Sequence, residues 1–176
     1  MNILITGVQN VIEESVVKLA LERVEGKAKF RVLSFSDFMD SGGSPAEELK
    51  MLKDTQKKIK DNIQMRVIKS RSGDHTIVEG YFTVKSRLGF YPVITKEVLD
   101  IFKPEFLVHV SVDSLALGDK VDRVLFEEHQ AIEKAYALFL GANAGCGVRI
   151  IRSGVDGERA AADELYGMLK DLMVKK

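Results

Sequence analysis

The chain has 176 residues, 45% of them hydrophobic, and its 26 Lys and Arg balance 26 Asp and Glu to a formal net charge of zero. That balance excludes a nucleic-acid partner held by bulk electrostatics, and the composition is that of a globular rather than a disordered chain. The length fits one domain, residues 1–176, able to bury about 70% of its unfolded surface without a disulfide or metal staple.

The first segment, Asn2-Ile3-Leu4-Ile5-Thr6-Gly7, is an apolar run too short for a buried helix and ending in glycine. It reads as a strand buried on both faces. From Val11 to Val24, Ile12, Val16, Leu19 and Ala20 recur at helical spacing, which predicts an amphipathic helix. A second strand is expected at Phe30–Phe35, and Ser41-Gly42-Gly43-Ser44-Pro45 is a loop by its turn residues. A long charged helix follows over Ala46–Ser70, then a third strand at His75–Gly80 and a fourth at Leu107–Val112, after Lys103-Pro104. Phe126–Leu140 reads as a helix, Gly147–Ile151 as a fifth strand and Ala160–Met173 as a closing helix. Strands alternating with amphipathic helices imply right-handed βαβ units and a parallel sheet covered on both faces. The lysines between Lys50 and Lys60 are interleaved with Asp and Glu and are read as a solvated helix face.

The single cysteine, Cys146, excludes an intramolecular disulfide and a Cys-only zinc site, and between two glycines it reads as a small turn residue, not a nucleophile. No run approaches the ~20 apolar residues of a membrane span and no signal-peptide pattern opens the chain, so a cytoplasmic protein with no membrane partner is expected. His109, inside an apolar strand, is expected to be a satisfied core residue rather than a metal ligand. His129 suits either a base or ribose contact or a packing role. Tyr81, Phe82, Phe90 and Tyr91 either stack on a base or cover the end of the sheet, with packing preferred.

In an open α/β sheet, ligands bind outside the carboxyl ends of the strands, where the segment from Gly7 to Ser15 falls. A phosphate-cradling loop would read G-x-x-x-x-G-K-[ST]. Here Gly7 keeps the first position, Val8, Gln9, Asn10 and Val11 follow, Ile12 stands at the second glycine, Glu13 at the lysine and Glu14 at the hydroxyl residue, with Ser15 next. Asn10 as N-cap with Glu13 three residues on forms a capping box, and both glutamates complement the helix dipole. The segment therefore reads as a self-capped helix start at a position where the fold would hold phosphate.

Four stretches occur in order: the Gly7 turn, Asp54-Thr55-Gln56-Lys57-Lys58-Ile59, Thr83-Val84-Lys85 with Gly89, and Glu128-His129-Gln130 before Gly147-Val148-Arg149-Ile150-Ile151. In that order and spacing the chain resembles archaeal-type adenylate kinases over nearly its whole length. The resemblance implies a three-layer α/β/α, P-loop nucleoside-kinase-like fold around a five-stranded parallel sheet. It further implies an AMP-side helical segment around 40–70, a lid around 113–127, phosphoryl transfer from Mg2+-ATP to AMP, and trimers in some members.

The sequence departs from that pattern where phosphate would be handled. The family's phosphate-loop lysine aligns with Glu13 and its hydroxyl residue with Glu14. An AMP-contacting arginine aligns with Met65, beside Arg66, and the acidic residue closing the third strand is Glu79 in place of Asp. The lid segment is short and holds only Arg123, and a later family arginine is Lys134, which keeps the charge without the bidentate fork. The expectation is a nucleotide-binding protein with weak or no kinase activity. Its monophosphate side would comprise Ser36, Arg66, Glu79, Thr83 and Lys85; its phosphate-loop position would be Gly7, Val8, Gln9, Asn10, Glu13 and Ser15. One alternative is an active adenylate kinase using substitute cations, with Lys134 and Arg123 as catalytic candidates beside Lys85, Arg87 and Arg152, and Mg2+ with ATP or ADP as cofactor. The other is a non-enzymatic scaffold, as a homo-oligomer. The partners expected are a nucleotide such as AMP and no nucleic acid.

Overall fold

The structure is a computed structural model, and it describes residues 1–8, 13–24, 30–34, 45–69, 75–87, 89–120, 122–154 and 157–174. Five parallel strands form the central sheet: β1 (Asn2–Thr6), β2 (Phe30–Ser34), β3 (His75–Gly80), β6 (Phe106–Val112) and β7 (Gly147–Ser153), in the order β2-β3-β1-β6-β7. The middle strands are apolar on both faces because helices cover both, so alternation gives way to continuous runs. All five strands lie where the sequence places them, and the fold is the α/β class expected.

Helices α1 (Glu13–Glu22) and α5 (Glu158–Val174) cover one face. Val16, Val17 and Ala20 of α1 and Ala161, Leu165 and Leu169 of α5 pack there on Ile3, Ile5, Ile77, Val108 and Ile151. An ion pair between Arg23 and Asp163 ties the outer surfaces of this layer. The other face carries α2 (Pro45–Lys69), α3 (Lys96–Phe102) and α4 (Arg123–Ala144). Their residues Leu52, Ile59, Ile63, Leu99, Phe102, Ala137 and Leu140 meet Leu4, Val78 and Leu107 of the sheet.

A hairpin after β3, the helix α3 and a 3-10 segment were not foreseen in the sequence. A short antiparallel hairpin, β4 (Thr83–Ser86) and β5 (Gly89–Pro92), leaves the carboxyl end of β3, and α3 follows it. The hairpin is roofed by its own apolar residues: Tyr81, Phe82, Val84, Val93 and Ile94 are all buried in the core between α2, α3 and α4. After β6 a 3-10 segment, Ser114–Lys120, leads to α4, whose N-cap Asp122 accepts a hydrogen bond from Leu125 N–H at 3.2 Å. The last turn of α4 closes on Gly145, at φ 65° and ψ 30°, a left-handed cap that glycine adopts without strain. Among the described residues, no helix is long and apolar enough to cross a membrane.

Candidate functional site

The carboxyl edge of the sheet is organised around β1. Thr6 lies opposite Gly80 on one side and His109 on the other, and Gly7 N–H donates to the Gly80 carbonyl at 3.2 Å. The chain therefore leaves β1 clamped to the end of β3. Val8, next in line, is buried against Val112 and Phe126, so this position of the expected phosphate loop serves packing rather than ligand contact. Ser15 is exposed on the first turns of α1. Gln9, Asn10 and the side chain of Glu13 lie outside the described residues, as does Ser36.

On one side of β1 stands the hairpin. Glu79, 6% exposed, closes β3 beside Ser34 of β2. Lys85 and Arg87 are exposed on and just after β4, and Glu48 of the first turn of α2 accepts from Arg87 N–H at 3.4 Å. The stretches that carry the family resemblance turn out to fasten this hairpin. Thr55 is buried in α2, and Gln56 donates to the Pro92 carbonyl at 2.6 Å. His129 Nε2 lies 3.1 Å from the Thr83 hydroxyl, and Phe90 packs on its ring at 5.0 Å. The structure thus gives His129 an anchoring role.

Two expected monophosphate-side residues lie away from the exposed part of this edge. Thr83 is 3% exposed and its hydroxyl donates to Glu133, so it supports the hairpin from inside and offers no hydroxyl to a ligand. Arg66 sits near the far end of α2, one turn from Lys69, whose carbonyl accepts from Arg31 at the start of β2. It is at the amino edge of the sheet, because a 25-residue helix is about 37 Å long and runs back along the strands.

On the other side of β1 is a cavity of about 460 Å³ at the carboxyl ends of β6 and β7, lined by Ser111–Ser114, by Glu127, Gln130, Ala131 and Lys134 of α4, and by Arg152–Gly154. Gln130 shapes its floor, accepting from Val112 N–H at 2.6 Å and donating to the Val112 carbonyl at 3.0 Å. Ser114 donates to Glu127 at 2.6 Å. The Ser153 hydroxyl, 1% exposed, has no protein partner among the described residues. Partial burial, and then the nearby Arg152 guanidinium, hold the Lys134 ammonium below its ordinary pKa. Two cations that oppose each other in one cavity favour an anion between them. Of the two catalytic candidates, Lys134 lines this cavity and Arg123 does not; Arg123 is exposed in the first turn of α4, about 16 Å along the helix.

Beneath both halves lies a polar layer between the sheet and α4. His109 is fully buried, its Nδ1 is 3.5 Å from the Thr6 hydroxyl, and its Nε2 has no partner among the described residues, so the expected core histidine is only half satisfied. Burial, followed by Lys134 and His129, lowers its pKa to about 3. Glu133, which the sequence reading missed, has no exposed surface, and burial raises its pKa to about 7 against the hydrogen bonds from Thr83 and Phe82. Its signal was its place on the stripe Phe126, His129, Gln130, Ala137, Leu140 that α4 buries. Burial likewise raises the Cys146 thiol, as suits a turn residue and not a nucleophile.

Sheet order and three-layer packing define a P-loop kinase-like α/β protein. Residues 18–126 match the AAA domain family, and the chain belongs to it. Along nearly its full length the chain is also similar to archaeal adenylate kinases, as its four stretches imply. It is 28% identical over 193 residues to an adenylate kinase of Pyrococcus furiosus, covering 99% of this chain and 97% of that protein. With an adenylate kinase of Thermococcus sibiricus the identity is 25% over 193 residues at the same coverage, and with one of Methanococcus vannielii 25% over 187 residues, 96% and 97%. A solved structure of an uncharacterized protein from Eubacterium ventriosum aligns with a TM-score of 0.44 and 12% identity, covering 100% of this chain and 99% of that one.

Proposed function

We propose that this adenylate-kinase-like protein binds a nucleoside monophosphate at the Glu79–Lys85 side of its carboxyl edge and transfers phosphoryl groups slowly or not at all. The observation that carries the reading is the fastened hairpin. α2 and α4 both anchor it, through Gln56 and His129, and it presents the exposed Lys85 on the strand that follows the buried Glu79 of β3. A rigid support under an exposed cation suits recognition of a small anionic ligand, because a held group needs no ordering when it binds. AMP is the ligand the relatives' activity suggests.

Slow transfer is supported by the sequence at the start of α1. Phosphoryl transfer depends on cations that neutralise developing charge, and an arginine finger alone contributes about 10³–10⁵ in rate. Glu13 and Glu14 stand where the family has its lysine and hydroxyl residue, and the segment from 113 to 127 carries one arginine. Mg2+ needs only one or two carboxylates beside phosphate oxygens. Glu79 is the residue that would hold it with a bound nucleotide, where the ion would neutralise phosphate charge. Calorimetry with AMP, ADP and ATP tests the proposal: AMP binding tighter than ATP is expected, and absence of binding by all three at about millimolar concentration, where any useful nucleotide site is occupied, refutes it.

A second reading, an active adenylate kinase, is favoured by the convergence of Lys134 and Arg152 on the 460 Å³ cavity. Under it, a coupled assay with ATP, AMP and Mg2+ shows turnover that falls at least about 100-fold in Lys134→Ala, as loss of one transition-state cation demands. Background turnover in the unmodified protein removes this reading. A cytoplasmic location and a homo-oligomer, trimeric on the family resemblance, complete the proposal; sizing in solution tests the latter.

A further inference from the structure

One turn of α4 fastens the corner between β3 and β4. The Glu133 carboxylate accepts from Phe82 N–H at 3.0 Å through Oε2, and from both the Thr83 N–H and the Thr83 hydroxyl at 2.5 Å through Oε1. One turn earlier, His129 Nε2 lies 3.2 Å from the Thr83 carbonyl oxygen as well as near its hydroxyl. A carbonyl can only accept, so Nε2 carries the proton, and the Thr83 hydroxyl is left to donate to Glu133. Three donors then converge on Glu133, and they are fully matched when its carboxylate is ionised. A proton on either oxygen sets an O–H against a donor.

Stability alone gives poor reason for this arrangement. An apolar residue at position 133 would continue the buried stripe of α4, whereas a buried carboxylate facing a neutral imidazole at 3.8 Å has no counter-charge. What the carboxylate adds is direction. It pins two successive backbone amides, and two residues further on the strand presents Lys85, whose charge reaches the His129 ring. Three residues back, the Gly80 carbonyl holds Gly7.

We propose that Glu133 is a positioning residue for the monophosphate side: its ionised carboxylate fixes the Phe82–Thr83 corner, and through it Lys85, at the binding edge, and protonation releases that hold. The proposal rests on the nucleotide-binding reading above. The ionisable groups around Glu133 are His129, Lys134 and Tyr136 on its own helix, Lys85 on the hairpin and, beyond His129, His109 on β6. Glu133 itself is pushed up to about 7 by burial, which places its proton exchange near neutrality.

The test is calorimetric titration of AMP into the unmodified protein and into Glu133→Gln, Thr83→Val and Thr83→Ser, from about pH 5.5 to 8.5, with amide hydrogen exchange followed at Phe82 and Thr83. The phosphate of AMP titrates near pH 6, so affinities are compared as the ratio to each variant at one pH, which cancels the ligand's own proton. At about pH 8, Glu133→Gln is expected to bind AMP about tenfold more weakly, as loss of hydrogen bonds to a charged group implies, and the ratio closes toward one at about pH 5.5. Thr83→Ser, which keeps the hydroxyl, behaves as the unmodified protein, and Thr83→Val follows Glu133→Gln. Protection at Phe82 and Thr83 falls in Glu133→Gln while the amides of β1 and β6 stay protected, which separates a loosened corner from an unfolded chain. A ratio of one throughout, or a loss that does not vary with pH, overturns the proposal. Failure of the unmodified protein to bind AMP overturns the nucleotide reading and this role with it; lost protection in Glu133→Gln would then mark the ligand, and not the corner, as the error.

Discussion

Two buried ionisable groups of the polar layer, His109 and Glu133, act on stability in opposite directions as pH changes. His109 is held near pKa 3 by burial, then by Lys134 and His129, against an ordinary 6.5. The unfolded chain takes a proton below 6.5 that the native chain refuses, so this contribution is complete above pH 6.5 and is lost as pH falls toward 3. At about 1.4 kcal/mol per pH unit, it amounts to about 5 kcal/mol. Glu133 is raised from 4.5 to about 7 by burial, which outweighs its three hydrogen bonds. Here the native chain keeps a proton that the unfolded chain releases, so the contribution is complete below pH 4.5 and is lost as pH rises to about 7. That amounts to about 3 kcal/mol. Between pH 4.5 and 6.5 the two slopes oppose each other and nearly cancel.

Urea unfolding at about pH 4.5, 5.5, 6.5 and 7.5 should therefore separate them in variants. In Glu133→Gln the His109 slope stands alone, so relative to the unmodified protein its stability climbs by about 3 kcal/mol from pH 4.5 to about 7. In His109→Asn the opposing slope is removed, and stability relative to the unmodified protein falls as pH rises from 4.5 to about 6.5. Surface carboxylates titrate alike in all three proteins and drop out of the differences. A stability difference between Glu133→Gln and the unmodified protein that is constant across these pH values would refute the reasoning.

Three further substitutions test the packing that supports the site. Gly141→Ala brings a Cβ to 2.2 Å from Val148 Cγ2, where α4 crosses β7, and should destabilise by about 1–3 kcal/mol; pairing it with Val148→Ala should recover most of that in thermal unfolding. Gly145→Ala places a side chain at φ 65° in open space, so strain alone should lower stability by about 1 kcal/mol, with no change in ligand binding. Gln130→Ala strips both hydrogen bonds from the Val112 backbone and should destabilise by about 2 kcal/mol, the range for a buried polar group left unmatched, seen as faster exchange of the Val112 amide.

The five sheet strands were legible in the sequence because burial on both faces gives unbroken apolar runs. The long helices were legible because each turns one apolar stripe inward. The hairpin was not. Its strands are four residues each, and between Ser86 and Gly89 no Asn-Gly or Gly-Gly pair announces a turn. α3 is two turns long, and its inward residues Val98, Leu99 and Phe102 are too few to establish a period. For the site, sequence order placed Glu79 and Lys85 at the carboxyl edge, since each follows a recognisable strand. It misplaced Arg66, because only the length of α2 shows which edge of the sheet that residue reaches. Thr83 was read as a ligand group because a hydroxyl in a family stretch does not disclose which way it points. Glu133 stayed hidden for a related reason: a glutamate on a buried stripe has meaning only once its three donors, all about 50 residues away, are folded against it.

The residues that carry the resemblance to adenylate kinases are thus mostly fasteners. Within two turns of α4, His129 and Glu133 hold the hairpin, Gln130 holds the end of β6, and Lys134 enters the cavity beside Arg152. One helix therefore spans from the hairpin to the cavity and sets the distance between them. Apolar residues would pack the same layer without desolvating a charge, so packing alone gives little reason for the buried carboxylate of Glu133 there. These buried polar contacts suit the proposed nucleotide binding better than the scaffold alternative, and the AMP titration decides between them.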